Sequence, residues 1–262
     1  EKALTLYQRW VTGLHLIPDA AEIASESTDA SSVNSEATPQ LVSGRYAMIT
    51  TGRYVNMDLR RFKSGPVTLS FSQFPEYGFR NLVLTSRNTA IYKGSKYKEY
   101  AKIFLLFLAS REYNDLIIRD SDGLPPNPEW AVDNPEYHTP PGREYEGNLH
   151  TNELKWAQTV ALPESFSPYY PLADDRIDYA YERVAAGLST PAEALALANR
   201  SIAHSIRETV NGTASLRERY ARDCELQKKI DEYKASGRKI PAEWIRNPFH
   251  LSYYRERGML SE

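Results

Sequence analysis

The run Ala185-Ala-Gly-Leu-Ser-Thr-Pro-Ala-Glu-Ala-Leu195 constrains this chain more than any other segment. Thr190 suits an N-cap, Pro191 the first helical position, and Glu193 the acidic corner of a capping box. Gly187 takes the left-handed geometry that ends a preceding helix without steric cost. Leu195, Ala198, Ile202 and Ile206 then recur at spacings of three and four, which draws one apolar face along the next helix. The run therefore predicts two consecutive helices joined by a tight turn.

Helical periodicity extends well beyond this pair. It predicts helices over Lys2–Thr12, Lys96–Leu108, Glu112–Arg119, Thr151–Val160, Ala173–Ala186, Thr190–Val210 and Ser215–Ala235, with short ones near Ser35–Ser43 and Met57–Lys63. Strands are expected at Arg45–Thr50, Val67–Gln73, Leu82–Thr85 and Thr89–Tyr92, the second ended by Phe74-Pro75. Ser25–Ser35 reads as a loop. From Ser121 to Gly147, Pro, Gly, Asn, Asp and Glu predominate, which predicts a long irregular crossover or surface wrap.

With 262 residues the chain can build one large domain or two small ones. Its net charge of −2 gives no electrostatic case for nucleic acid or an anionic membrane. No apolar run approaches the roughly 20 residues that span a bilayer. Glu1–Leu16 reads as an amphipathic helix rather than a signal peptide. A single cysteine, Cys224, leaves no internal disulfide and no cysteine zinc cluster, and no histidine pair has metal-ligand spacing. Tyrosine outnumbers phenylalanine 18 to 8, and its apolar face with a polar tip suits sugar sites, interfaces and wet domain seams alike.

Four motifs in order resemble the C-terminal portion of the extracellular solute-binding proteins of ABC importers, the sugar-binding class. Gly44, Ala47, Met48, Gly52 and Tyr54 match its strand-turn pattern G-x-x-A-M-x-x-x-G-x-aromatic. Lys98–Glu112 reads like its long helix, and Asp122-Gly-Leu-Pro-Pro126 like the loop that follows. Gly187–Leu195 matches G-x-x-T-P-x-E-A-L near the family's end. Glu1–Pro18 resembles a helix that follows a whole N-terminal lobe in full-length members, so the chain is expected to be a C-terminal fragment of a longer precursor.

The resemblance implies an α/β, predominantly helical C-terminal lobe of a truncated type II two-lobed binding-protein fold. Residues 1–78 and 128–262 would belong to that lobe, and 79–127 to the part that crosses to the N-terminal lobe. The implied activity is capture of a small ligand, a sugar above all, without catalysis or cofactor. The implied partners are ABC permease subunits, with a periplasmic or extracellular location and a possible membrane anchor in the precursor. The rival is a helical protein-interaction module on the same scaffold. A lobe without its companion also exposes apolar surface, which favours self-association.

Candidate ligand residues follow from aromatic faces and planar polar groups near turns. The resemblance implies that Tyr54 stacks on the ligand; packing beneath its own helix is equally open. Arg53 is placed to hydrogen-bond a hydroxyl or an acidic sugar. Tyr169, Tyr170 and Asp174 lie at the start of a helix and either face the cleft or wedge between helices. Arg80 and Asn81 should lie near the hinge. The aromatic tail Ile240–Gly258, with Trp244, Phe249, Tyr253 and Tyr254, is expected to clasp the helices between Thr190 and Ala235, with partner docking as the minority alternative.

Overall fold

The computed structural model describes residues 1–26, 37–61, 70–72, 78–86, 88–120, 123–170 and 172–261. Its helices in chain order are α1 (Lys2–Gln8), α2 (Ala20–Glu26), α3 (Ala37–Val42), α4 (Val55–Leu59), α5 (Lys98–Leu108), α6 (Arg111–Asp120), α7 (Glu129–Val132), α8 (Pro135–His138) and α9 (Leu149–Thr159). Then come α10 (Ala173–Ala185), α11 (Pro191–Gly212), α12 (Ala214–Ala235) and α13 (Pro248–Glu256). The strands are β1 (Val83–Leu84), β2 (Leu162–Pro163), β3 (Ile240–Pro241) and β4 (Leu260–Ser261), paired in parallel as β1 with β2 and β3 with β4. The fold is predominantly helical, about 60% helix, and among the described residues the strands are these two-residue pairs alone.

Two compact units divide the chain. One combines Glu1–Ser31 with Ser165–Glu262, and the other is Ser32–Glu164. These limits fall elsewhere than the expected boundaries at 78/79 and 127/128.

In the first unit, α1 lies against α10 and α11. Leu4, Ala180, Val184, Ala194 and Ala198 form its core, bordered by Ile177, Tyr181 and Leu195. The alanines let helix axes approach closely, and Tyr7 meets Tyr181 edge to face at 5.0 Å. The turn between α10 and α11 is built as its sequence predicts. Gly187 has φ +69°, Leu188 N–H donates to Arg183 O, and Gly187 N–H to Val184 O, a Schellman ending. Thr190 Oγ1 accepts from Glu193 N–H, while a Glu193 carboxylate oxygen accepts from Thr190 N–H at 2.9 Å. The predicted first helix also forms, though from Arg9 to Gly13 it widens to π geometry.

The tail folds back on this unit. Ile240 is fully buried, and its N–H donates to Met259 O as β3 pairs with β4. Trp244 packs edge to face on Tyr233 of α12 at 5.1 Å, and Lys234 of α12 reaches the Tyr254 hydroxyl. Trp244, Phe249, Tyr253 and Tyr254 are all half-buried.

In the second unit, Ile118, Ala131, Tyr137 and Leu154 form the core, with Leu124 and Trp130 against it. Residues 123–147 are therefore not the long irregular stretch that their composition predicts. They contribute α7, α8 and a 3₁₀ turn over Glu144–Glu146, and Tyr137 in their midst is fully buried. Asn134 caps α8 by accepting from Glu136 N–H, with Pro135 at the first helical position, so a composition that suggests loop instead starts a short helix.

The expected strand at Arg45–Thr50 is irregular. The N–H groups of Arg45 and Tyr46 donate back to Gln40 O at the end of α3, so they are not offered to a ladder, and Met48 lies largely exposed. Thr89–Tyr92 also forms no strand, its residues mostly exposed. Val67–Gln73 and Phe74-Pro75 lie largely outside the described residues; Ser70–Ser72 is irregular.

Candidate functional site

Gly52 begins a turn whose carbonyl accepts from Val55 N–H, and α4 follows at once. The Tyr54 ring lies across Gly52 so closely that a Cβ there would meet it at 2.8 Å, and a larger residue would have to push the ring aside. Tyr54 is 47% exposed, so it presents an aromatic face to solvent rather than packing beneath its own helix.

Arg53 turns the other way, into the unit. Its guanidinium pairs with Glu153, donates to His150 Nδ1 at 2.9 Å, and lies 5.3 Å from the centre of the Tyr137 ring. Seven residues on, at the end of α4, Arg60 donates to both carboxylate oxygens of Glu146, at 2.6 and 2.9 Å, and to the carbonyl of Asp120. Glu146 joins the two halves, because its second oxygen accepts from His150 Nε2 at 2.6 Å. Arg60, Glu146, His150, Arg53 and Glu153 thus form one chain of charge-assisted bonds tying α4 and its leading turn to α9.

The geometry sets the protonation states. Guanidinium has no acceptor, so His150 Nδ1 must accept; a carboxylate has no donor, so Nε2 must carry the proton. His150 is therefore the neutral Nε2–H tautomer. Burial lowers its pKa, and the charges of Arg53 and Arg60 act in the same direction against the hydrogen bond to Glu146. Burial alone would raise the Glu146 pKa, but hydrogen bonds from His150 and Arg60 together with their charge bring it down to about 2. Both nitrogens of this buried imidazole are engaged, which removes His150 as a general base toward any bound molecule.

The remaining candidates divide between the units. Arg53, Tyr54, Arg80 and Asn81 belong to Ser32–Glu164; Tyr169, Tyr170 and Asp174 belong to the other. Arg53 does not present a free guanidinium to a ligand. Arg80 donates to the carbonyls of Val160 and Ala161 at 2.7 Å each, closing the end of α9. Asn81 beside it is half-buried. Tyr169 wedges against α12, edge to face with Tyr220 at 5.0 Å and donating to Asp223. Burial and the Asp223 carboxylate push its pKa up to about 12. Tyr170 accepts from Arg176 at 3.2 Å, and Asp174 sits exposed in the first turn of α10, a favourable place for a carboxylate.

Among the described residues no group of three His, Cys, Asp or Glu side chains is placed to hold a metal ion. A shallow concavity of about 480 Å³ lies elsewhere in the second unit, lined by Arg111, Asp115, Ile118, Arg119, Asn134, Pro135 and Glu136. Sequence reasoning missed Arg60, Glu146, His150 and Glu153. The one local signal for them is the Glu146–His150 spacing of four across a helix start; their other partners lie 86 to 100 residues away.

No family model, curated protein or solved structure matches this chain.

Proposed function

We propose that this chain is the C-terminal portion of the ligand-binding component of an ABC import system, taking a carbohydrate outside the cytoplasmic membrane. The observation that carries the reading is the state of α5. This helix, Lys-Glu-Tyr-Ala-Lys-Ile-Phe-Leu-Leu-Phe-Leu, has no buried residue; Ile103 is 65% and Leu106 72% exposed, and Phe104 and Phe107 are exposed beside them. Exposed apolar surface of this kind marks a covered face in the assembled protein. α5 lies within 79–127, the segment that on this reading crosses to the other lobe, so a second lobe is the natural cover. Tyr54 supports the same reading, as an outward aromatic face lying over Gly52.

On this reading the type II architecture closes two lobes on the ligand by hinge bending and then docks on a membrane permease. Affinity comes from both walls, so this chain alone binds weakly. Function is binding, not turnover. Purification of the naturally produced protein from detergent-solubilised membranes tests the proposal. Multi-spanning permease subunits should accompany it in fixed ratio. Their absence, with a separate globular protein seated on α5 instead, would replace this reading by that of a helical interaction module, which the exposure of α5 also supports.

A further inference from the structure

We propose that the Tyr92–Tyr100 stretch, which leads into α5 and begins it, is a binding platform for an acidic carbohydrate chain. The rings of Tyr92, Tyr97 and Tyr100 take the faces of the sugars, and the ammonium groups of Lys93, Lys96 and Lys98 take their carboxylates. Tyr92 and Tyr100 are 74% exposed and Tyr97 69%. The Tyr92 ring nevertheless has a fixed place. It lies over Gly94, where a Cβ would meet the ring at 2.7 Å, so the ring is propped on the backbone while most of it stays open to solvent. Ser95 N–H donates to Tyr92 O at 3.0 Å and Tyr97 N–H to Ser95 Oγ at 3.1 Å, which closes the turn on itself. Tyr97 at the start of α5 and Tyr100 one turn on bring their rings to 6.5 Å between centres. A turn closed in this way has little freedom left to lose when a pyranose stacks on its rings.

The open charge on this stretch is of one sign. Lys93, Lys96 and Lys98 are exposed and have no ion pair among the described residues. Glu99, the one acid in the stretch, is taken by Lys102 at 2.7 Å. Three unpaired cations interleaved with three aromatic rings complement a ligand that alternates apolar faces with carboxylates, which is what a chain of uronic acid residues offers. The composition speaks against two other polyanions. The stretch has no arginine, the side chain whose planar fork suits phosphate and stacks on bases, and three lysines on a chain of net charge −2 make few phosphate contacts. It also has no aliphatic side chain, phenylalanine or tryptophan to enter a lipid layer. Neither Tyr54 nor the apolar residues 103–107 of α5 belong to the platform, so it stands apart from the import reading.

Calorimetric titration of the whole chain at low salt with a purified oligogalacturonate tests this, with the methyl-esterified oligomer as its uncharged counterpart. The acid form should bind saturably and weaken as salt is raised, and the ester should bind at least roughly tenfold more weakly. Tyr92→Ser and Tyr97→Ser should each weaken binding about tenfold, the scale of one lost aromatic contact, at an unchanged melting temperature because both rings are exposed. Lys93→Gln combined with Lys96→Gln and Lys98→Gln should remove the salt dependence and bring the acid form down to the affinity of the ester. Tyr54→Ala should leave this binding as it is, which keeps the platform and the Tyr54 site separately testable. No binding of the acid form, equal binding of the ester, tyrosine variants that bind like the wild-type chain, loss of binding through Tyr54→Ala, or tighter binding of polyuridylate or of phosphatidylglycerol vesicles would each overturn the platform.

Discussion

At the scale of single residues, the buried ion chain and the exposed Tyr54 lie side by side and face opposite ways. Glu146 is the member whose loss costs most, because it accepts from both Arg60 and His150. Glu146→Ala strands a buried guanidinium and should destabilise the protein by about 3–5 kcal/mol in denaturant unfolding. The pH dependence has a definite sign. The Glu146 pKa falls from 4.5 to about 2 on folding, so its contribution is complete above 4.5 and is lost as the pH falls toward 2. His150 is also lowered, and a depressed histidine favours the fold above its unfolded pKa near 6.5 and disfavours it below. Both shifts act in one direction. Unfolding midpoints should drop between pH 7.5 and 5.5 and drop again below 4.5; a flat profile across both windows would contradict this network. Apart from Glu146 and His150, four residues apart, these partners could not be read from sequence, because each pairing closes a loop of 86 to 100 residues and leaves no local periodicity.

At the scale of elements, what was legible is what is local. The α10–α11 turn follows its sequence bond for bond, since a capping box and a Schellman ending need only residues within one or two turns. Thr190→Ala should cost about 1 kcal/mol, measurable as a lowered melting temperature. The strands at Arg45–Thr50 and Thr89–Tyr92 fail for the complementary reason. A strand exists only through a ladder partner, and alternation along one segment does not reveal whether that partner arrives. The tail is intermediate: its aromatics announce packing, but only the structure selects Tyr233 and Lys234 of α12 as the surface they meet. Removing Ile240–Glu262 strips the fully buried Ile240, worth about 2 kcal/mol, together with the contacts of Trp244. The truncated chain should melt well below the intact one, and an unchanged melting temperature would make the tail a free arm.

At the scale of the molecule, α5 is the part that its surroundings do not explain. An 11-residue helix is about 16 Å long, roughly half the hydrocarbon thickness of a bilayer. Among the described residues no helix is long and apolar enough to cross a membrane. An apolar helix left in water drives association instead, so Phe104→Ser with Leu106→Ser should reduce self-association in sedimentation without lowering the melting temperature. The central claim is that this chain forms one wall of a two-walled sugar site. Calorimetric titration of the naturally produced protein with a panel of mono- and oligosaccharides tests it most directly. At least one sugar should bind saturably, weakened about tenfold to a hundredfold by Tyr54→Ala, the scale of one lost aromatic contact. Absence of binding across the panel, or binding untouched by Tyr54→Ala, would contradict it.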